Sequence, residues 1–75
     1  MISDRRLSMW TVYERPLDFP SQFVVRRWLV GSTVDSTADV LLADDLATIR
    51  EKLPQGLFRI PAHPGDDPAI VETWP

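Results

Sequence analysis

The sequence predicts an α+β fold, a single two-layer sandwich in which one helix covers one face of a small antiparallel sheet of three to four strands. Residues 8–15 and 22–30 are rich in aromatic and β-branched side chains, which favour strands. Apolar residues then recur at helical spacing up to residue 53, and two shorter apolar segments follow. A chain of 75 residues has room for one core. The order β-β-α-β-β over residues 1–75 is therefore predicted to form one domain.

The first two predicted strands form a hairpin. The segment PLDFPS (16–21) between them contains two prolines, which exclude a helix there. If Arg15 and Gln22 close the hairpin, the numbers of opposed residues sum to 37, and alternate residues share one face. The face that best matches the helix is the predicted core face, with Val12, Phe23, Val25 and Leu29.

The other face of the hairpin is the predicted binding surface. Aromatic rings alternate there with arginines, a composition enriched in the hot spots of protein interfaces and used by base-stacking platforms. Aromatic and β-branched residues also make good strand surface without any partner. The predicted binding residues are Thr11, Tyr13, Arg15, Arg26 and Trp28.

Spacings of four, three and four residues define an apolar helical stripe: Leu42, Leu46, Ile49 and Leu53. We expect a helix at about 45–53. Asp44 or Asp45 can cap its first turn by accepting a hydrogen bond from a backbone amide. Pro54 and Gly56 end it.

The remaining segments are predicted from composition. GSTVDSTAD (31–39) lacks periodicity and reads as an exposed, mobile loop, and residues 1–7 as a disordered tail. Residues 40–43 can be extended. Short strands are expected at 57–60 and 69–74, separated by a loop with three prolines.

Three segments carry a resemblance: WTVYERPLDFPSQFVVRRW (10–28), LPQGLFRIP (53–61) and GDDPAIVETWP (65–75). They resemble a group of short hypothetical proteins from proteobacteria, mainly alphaproteobacteria. The likeness covers most of the chain from Trp10 onward and leaves out residues 32–38. It implies a bacterial cytoplasmic origin and carries over no activity and no site residue.

Composition excludes several classes of protein. Without cysteine there is no disulfide framework and no thiolate metal site. The start of the sequence lacks the apolar run of a signal peptide, and no stretch approaches the ~18 apolar residues of a membrane span. We therefore expect a cytoplasmic protein with no membrane contact.

The single histidine, His63, stands near Asp66 and Asp67, a combination that can bind a cation. The same HPGDDP segment is also typical of a turn, because Pro fixes φ and Asp bonds local amides. The turn is the favoured interpretation, so no metal and no cofactor is predicted.

The charges of the chain are unevenly distributed. Residues 1–30 carry a formal charge of +2 and residues 31–75 carry −5, giving −3 in total. Opposite halves can pair within one fold, pair between subunits, or leave a basic face for an acidic partner. An acidic chain lacks the general attraction that drives binding to a phosphate backbone, so nucleic acid is an unlikely partner.

No motif for nucleophilic catalysis or nucleotide binding is present. Glu14 and Glu72 could meet across strands as an acid and base pair, but each pairs more simply with an arginine such as Arg15, Arg27 or Arg59. The sequence thus predicts a small non-enzymatic interaction module that binds a protein partner or forms a homo-oligomer. The alternatives are a nucleic-acid or anionic-ligand binder and, third, a small carboxylate-dependent enzyme.

Overall fold

The fold is an antiparallel five-stranded sheet with one short helix. The computed structural model describes residues 6–75. Its elements are β1 (Leu7–Glu14), β2 (Phe23–Val30), β3 (Val34–Ala43), α1 (Leu46–Glu51), β4 (Ile60–Pro61) and β5 (Ile70–Trp74). The strand order in the sheet is β3-β2-β1-β5-β4. The α+β class agrees with the prediction, but the sheet has one strand more than expected and the element order is β-β-β-α-β-β.

The β1–β2 hairpin has the predicted register. Glu14 lies opposite Phe23 and Val12 opposite Val25, so that opposed numbers sum to 37. The Arg15 amide donates to the Gln22 carbonyl at 3.0 Å and closes the loop. Arg15, at the start of the loop, adopts the left-handed conformation with φ of 46°, which is uncommon for a residue with a Cβ.

The third strand corrects the prediction of a loop at 31–39, because most of that segment belongs to β3 at one edge of the sheet. Its register shifts where residues 37–39 oppose Arg27 alone. The Thr37 hydroxyl donates to the Arg27 carbonyl at 2.9 Å and accepts from the Asp39 amide at 3.2 Å. Its hydroxyl thus supplies hydrogen bonds at a point where the regular strand pairing is interrupted.

The first strand corrects the predicted tail at residues 1–7. Leu7 is already the first residue of β1. Arg6 precedes the strand, and residues 1–5, on which the rest of that prediction falls, lie outside the described residues.

The helix forms as predicted but is shorter. Asp45 is its N-cap and accepts from the Thr48 amide at 2.7 Å, while Ile49 is fully buried against the sheet. The buried core cluster under α1 contains Val12, Val25, Ala43, Ile49 and Leu53.

Three residues of the predicted core and stripe have different outcomes. Phe23 is partly buried and packs against this cluster. Leu29 is half-buried and lies outside the cluster. Leu42 does not belong to the helix. It lies in β3 opposite Val24, on the face of the sheet away from α1.

The last strand, β5, lies where it was predicted, whereas β4 shares only Ile60 with the strand predicted at 57–60. β5 pairs with β1, placing Trp74 opposite Trp10 and Glu72 opposite Val12. β4 contains only two residues and ends at Pro61, which lacks the amide of a regular strand residue and is tolerated at a sheet edge. Within residues 6–75, no helix has the length and apolar character needed to cross a membrane.

Candidate interaction surface

The sheet has one face under α1, here called the helix face, and one face that no helix covers, here called the open face. Side chains alternate between the two faces along each strand. The open face of the first three strands consists of Leu7, Met9, Thr11, Tyr13, Val24, Arg26, Trp28, Val30, Val34, Ser36, Val40 and Leu42.

The structure places four of the five predicted binding residues on this face. Tyr13, Arg26 and Trp28 are half-buried there, whereas Thr11 is buried and offers little surface to a partner. Arg15 is exposed in the hairpin loop, beyond the end of β1. It lines neither of the two grooves described next.

A groove of about 530 Å³ lies at the hairpin end of the open face. Tyr13 and Trp28 line it together with polar side chains, and Asp18 of the hairpin loop and Asp67 form part of its wall. Asp18 makes an ion pair with Arg26. The guanidinium group of Arg26, one of the predicted binding residues, is therefore already paired within the chain.

A second groove, of about 320 Å³, is almost entirely apolar and is lined by Met9, Thr11, Trp28, Val30 and Val34. Val34 and the nearby Leu7 are 64% and 67% exposed, although both are large hydrophobic residues. Trp28 lines both grooves and connects them. We call this end of the open face the apolar end.

Sequence reasoning left Met9, Val30 and Val34 out of the predicted binding residues for two reasons. Val34 was placed in a loop, so it had no face, and the other two lie toward the strand ends. The hairpin register was enough to place Met9 and Val30 on the open face, since Met9 shares a face with Tyr13 and Val30 shares one with Trp28.

Two ion pairs join the oppositely charged halves of the chain within this fold. Arg6 binds Asp35 at 3.3 Å, and Arg27 binds Asp39 at 2.8 Å, so arginines of the first half meet aspartates of β3. Arg27 also donates to the Ser8 hydroxyl at 3.0 Å. Its guanidinium lies over the Trp10 ring, 5.8 Å from the centroid, a cation–π geometry.

On the helix face, Glu72 is fully buried and accepts hydrogen bonds from three side chains. Arg50 donates from Nε to Oε2 at 2.9 Å and from Nη2 to Oε1 at 2.6 Å. Arg59 Nε donates to Oε1 at 3.0 Å, and Trp74 Nε1 donates to Oε2 at 2.7 Å. We call these four residues the Glu72 cluster.

These donors outweigh the effect of burial on the carboxyl group. The Arg50 hydrogen bonds, followed by those of Trp74 and Arg59, lower the pKa of Glu72 from 4.5 to about 2, whereas burial alone would raise it. In return, Glu72 raises the pKa of Arg50. Of the arginines predicted to pair with Glu72 or Glu14, Arg59 does pair with Glu72, and Arg50 was missed.

The HPGDDP segment forms local turns. The His63 amide donates to Asp66 at 2.9 Å, and the Gly65 amide donates to His63 Nδ1 at 3.1 Å. Asp67 accepts from the Ala69 amide at 2.8 Å. Over residues 6–75, no group of three or more His, Asp or Glu side chains is arranged to hold a metal ion.

Comparison with protein-family models, curated proteins and solved structures finds no match for this chain. The resemblance to short proteobacterial proteins accordingly stays a prediction, and any function rests on the geometry of the chain itself.

Proposed function

We propose that this chain is a small non-enzymatic interaction module whose open face binds a protein, with a second copy of the chain as the partner. The observation that supports this proposal most strongly is the apolar end of the open face. Leu7, Val34 and the apolar groove beside Trp28 are exposed together there. Contiguous exposed apolar surface of this kind is typical of protein interaction sites.

The dimensions of the face suit a protein rather than a small ligand. Three strands of about eight residues span roughly 26 Å by 14 Å, from the rise per residue and the strand spacing. A standard interface buries about 800 Å² on each partner. The flat outline is about 360 Å², less than half of that area, so an interface formed by this face alone is smaller than the standard size; a second sheet would pack on it at about 10 Å spacing.

Symmetry favours a second copy. A two-fold axis parallel to the strands would lay the apolar end of one copy on the apolar end of the other. Each Arg26 would stay neutralised by Asp18 of its own copy. No charged residue lines the apolar groove, so this packing opposes no like charges.

The small number of buried hydrophobic side chains also favours a second copy of the chain as the partner. Among residues 6–75, the buried hydrophobic side chains are Val12, Val24, Val25, Ala43, Ile49 and Leu53. Domains of this size gain stability from oligomerisation. A copy of the same chain is a partner that is present whenever the chain is folded.

The two other functions have weaker support. Binding of nucleic acid through the open face would use Arg26, which Asp18 already neutralises in a groove that also contains Asp67. Carboxylate catalysis would use Glu72, but a pKa of about 2 and four hydrogen bonds from its neighbours make that group a poor proton carrier near neutral pH.

Sedimentation velocity of the purified chain tests the proposal. We expect a dimer at micromolar concentration for the unaltered chain and a monomer for Val34→Asp, because the substitution places a charge in the apolar groove. Phe58→Asp is the matched control: Phe58 is 78% exposed and lies outside the open face of β1 to β3, so dimerisation should persist.

A chain that stays monomeric to several hundred micromolar would remove the second copy as partner, since such an interface would be weaker than about 5 kcal/mol. In that case, the chain is expressed in cells with a photo-crosslinking amino acid at position 34, to test whether the open face binds a different protein. Crosslinks to another protein from position 34, but not from position 51 on the helix, would support the proposal that the chain is a protein-binding module. Crosslinks to nucleic acid would favour the alternative.

A further inference from the structure

The Glu72 cluster brings two arginines from distant segments to one oxygen atom. Arg50 Nη2 lies 2.6 Å from Glu72 Oε1, and Arg59 Nε lies 3.0 Å from the same atom, so the two nitrogen atoms are at most about 6 Å apart. The cluster lies on the opposite side of the sheet from the open face, because Glu72 pairs with Val12 of the core.

Most of the donor capacity of the two arginines remains after Glu72 is satisfied. A guanidinium group has five N–H donors. Arg50 donates to Glu72 from Nε and Nη2, and Arg59 donates from Nε alone. The two side chains are 38% and 49% exposed, so part of each guanidinium group faces solvent.

The charge of the cluster is also unbalanced. Two guanidinium groups face one carboxylate, and within residues 6–75 Glu72 is the only carboxylate that forms an ion pair with either arginine. A net charge of about +1 remains. Because Glu72 is fully buried, its carboxylate contacts the arginines from the interior of the protein and does not occupy their solvent-exposed sides.

We propose that Arg50 and Arg59 form a binding site for a phosphate group. Arginine forks match the oxygens of phosphate in paired hydrogen bonds, and a tetrahedral phosphate has enough acceptor atoms to engage two neighbouring forks. Glu72 fixes both guanidinium groups before the ligand arrives, which reduces the entropy lost on binding. The proposal does not depend on the function of the open face.

Two of the three tryptophans provide the readout. The Trp74 indole N–H donates to Glu72 and so reports on the cluster, whereas Trp28 reports on the open face. In a titration of the ¹⁵N-labelled chain with inorganic phosphate, we expect a saturable shift of the Trp74 indole resonance. The Trp28 resonance should stay in place, and sodium chloride at equal ionic strength should not reproduce the shift.

Substitutions identify the residues responsible. Arg59→Lys keeps the charge but removes the planar fork, and we expect at least about a tenfold loss of phosphate affinity. Arg59→Gln should abolish the saturable shift. Arg26→Gln removes an arginine of the open face and should leave the affinity unchanged. If Arg59→Gln unfolds, Arg59→Lys alone decides the role of Arg59.

Titration with phosphoserine and with adenosine monophosphate distinguishes a phosphorylated side chain from a nucleotide as the source of the phosphate group. A saturable Trp74 shift with either one supports the site. A Trp74 resonance that does not move with any of the three ligands, or moves equally with chloride, would overturn the proposal and leave the cluster with a purely structural role. Equal affinity in Arg59→Lys would also overturn it.

Discussion

The two faces of the sheet depart from the usual division of polar and apolar residues in opposite ways. The helix face buries a charge, Glu72, and surrounds it with donors from the same chain. The open face exposes apolar side chains, Leu7 and Val34, and the described chain provides nothing that covers them. A buried charge can be satisfied within the chain, whereas an exposed apolar surface is covered only by another molecule. The helix face therefore contains most of the buried core, and the open face is the surface through which we propose that the chain associates.

The largest expected difference between the two faces comes from truncating one apolar side chain on each. Ile49→Ala should lower the free energy of unfolding by about 2–5 kcal/mol, because Ile49 is fully buried in the core. Leu7→Ala on the open face should change it by less than about 0.5 kcal/mol in the monomer. Urea denaturation at low protein concentration measures both. Equal losses would mean that the open face also belongs to the core of the monomer.

Removing the buried charge should have the next largest effect. Glu72→Gln keeps the shape of the side chain but places an amide N–H₂ among three donor side chains, which should cost about 2–4 kcal/mol of unfolding free energy. Glu14→Gln is the control, since Glu14 is an exposed glutamate in a neighbouring strand. Denaturation curves that coincide for the two variants would show that the Glu72 cluster contributes nothing to stability.

Acid should weaken the helix face through the same group. The pKa of Glu72 is lowered in the folded chain from 4.5 to about 2, so its contribution is complete above about pH 4.5 and is lost as the pH falls toward about 2. Allowing for solvent screening of the half-exposed arginines, we expect a loss of about 2–3 kcal/mol over this range. Thermal melting between pH 7 and pH 2 measures it. A Glu72→Gln variant with the same slope would contradict this assignment.

The smallest expected effect concerns the start of the helix. Asp45→Ala removes the acceptor of the Thr48 amide, the bond that also lowers the pKa of Asp45, and should lower the melting temperature by a few degrees. Asp44→Ala should leave it nearly unchanged, because Asp45 is the N-cap. The reverse order of the two variants would place the cap at Asp44.

The sequence alone predicted the elements whose side chains alternate in burial. The β1–β2 register followed from one pair of loop residues, and the helix followed from its apolar spacing and its cap. Residues 40–43 of β3 were expected to be extended, but residues 34–39 were missed because nearly all of their side chains are exposed. An edge strand whose side chains are largely solvated needs no apolar alternation, so its polar sequence has the composition of a loop.

The partners of Glu72 could be predicted only in part. An isolated glutamate within the apolar segment AIVETW indicates a buried charge, and a buried charge requires a partner. Which arginine reaches it depends on where α1 crosses the sheet, and residue spacing does not specify that position. Arg50 is 22 residues away from Glu72 in the chain.

The central position of β1 in the sheet has a consequence for the order of folding. The strands β1, β2 and β3 pair through short connections, whereas β5 must close a loop of about 60 residues to pair with β1. Contacts between distant segments form slowly, because the chain must lose the conformational entropy of closing the loop before the contacts contribute any stabilising free energy. We expect the three-stranded meander to form in the folding transition state and the β5 pairing to form after it. Substitutions in β5 should then accelerate unfolding while leaving the refolding rate nearly unchanged.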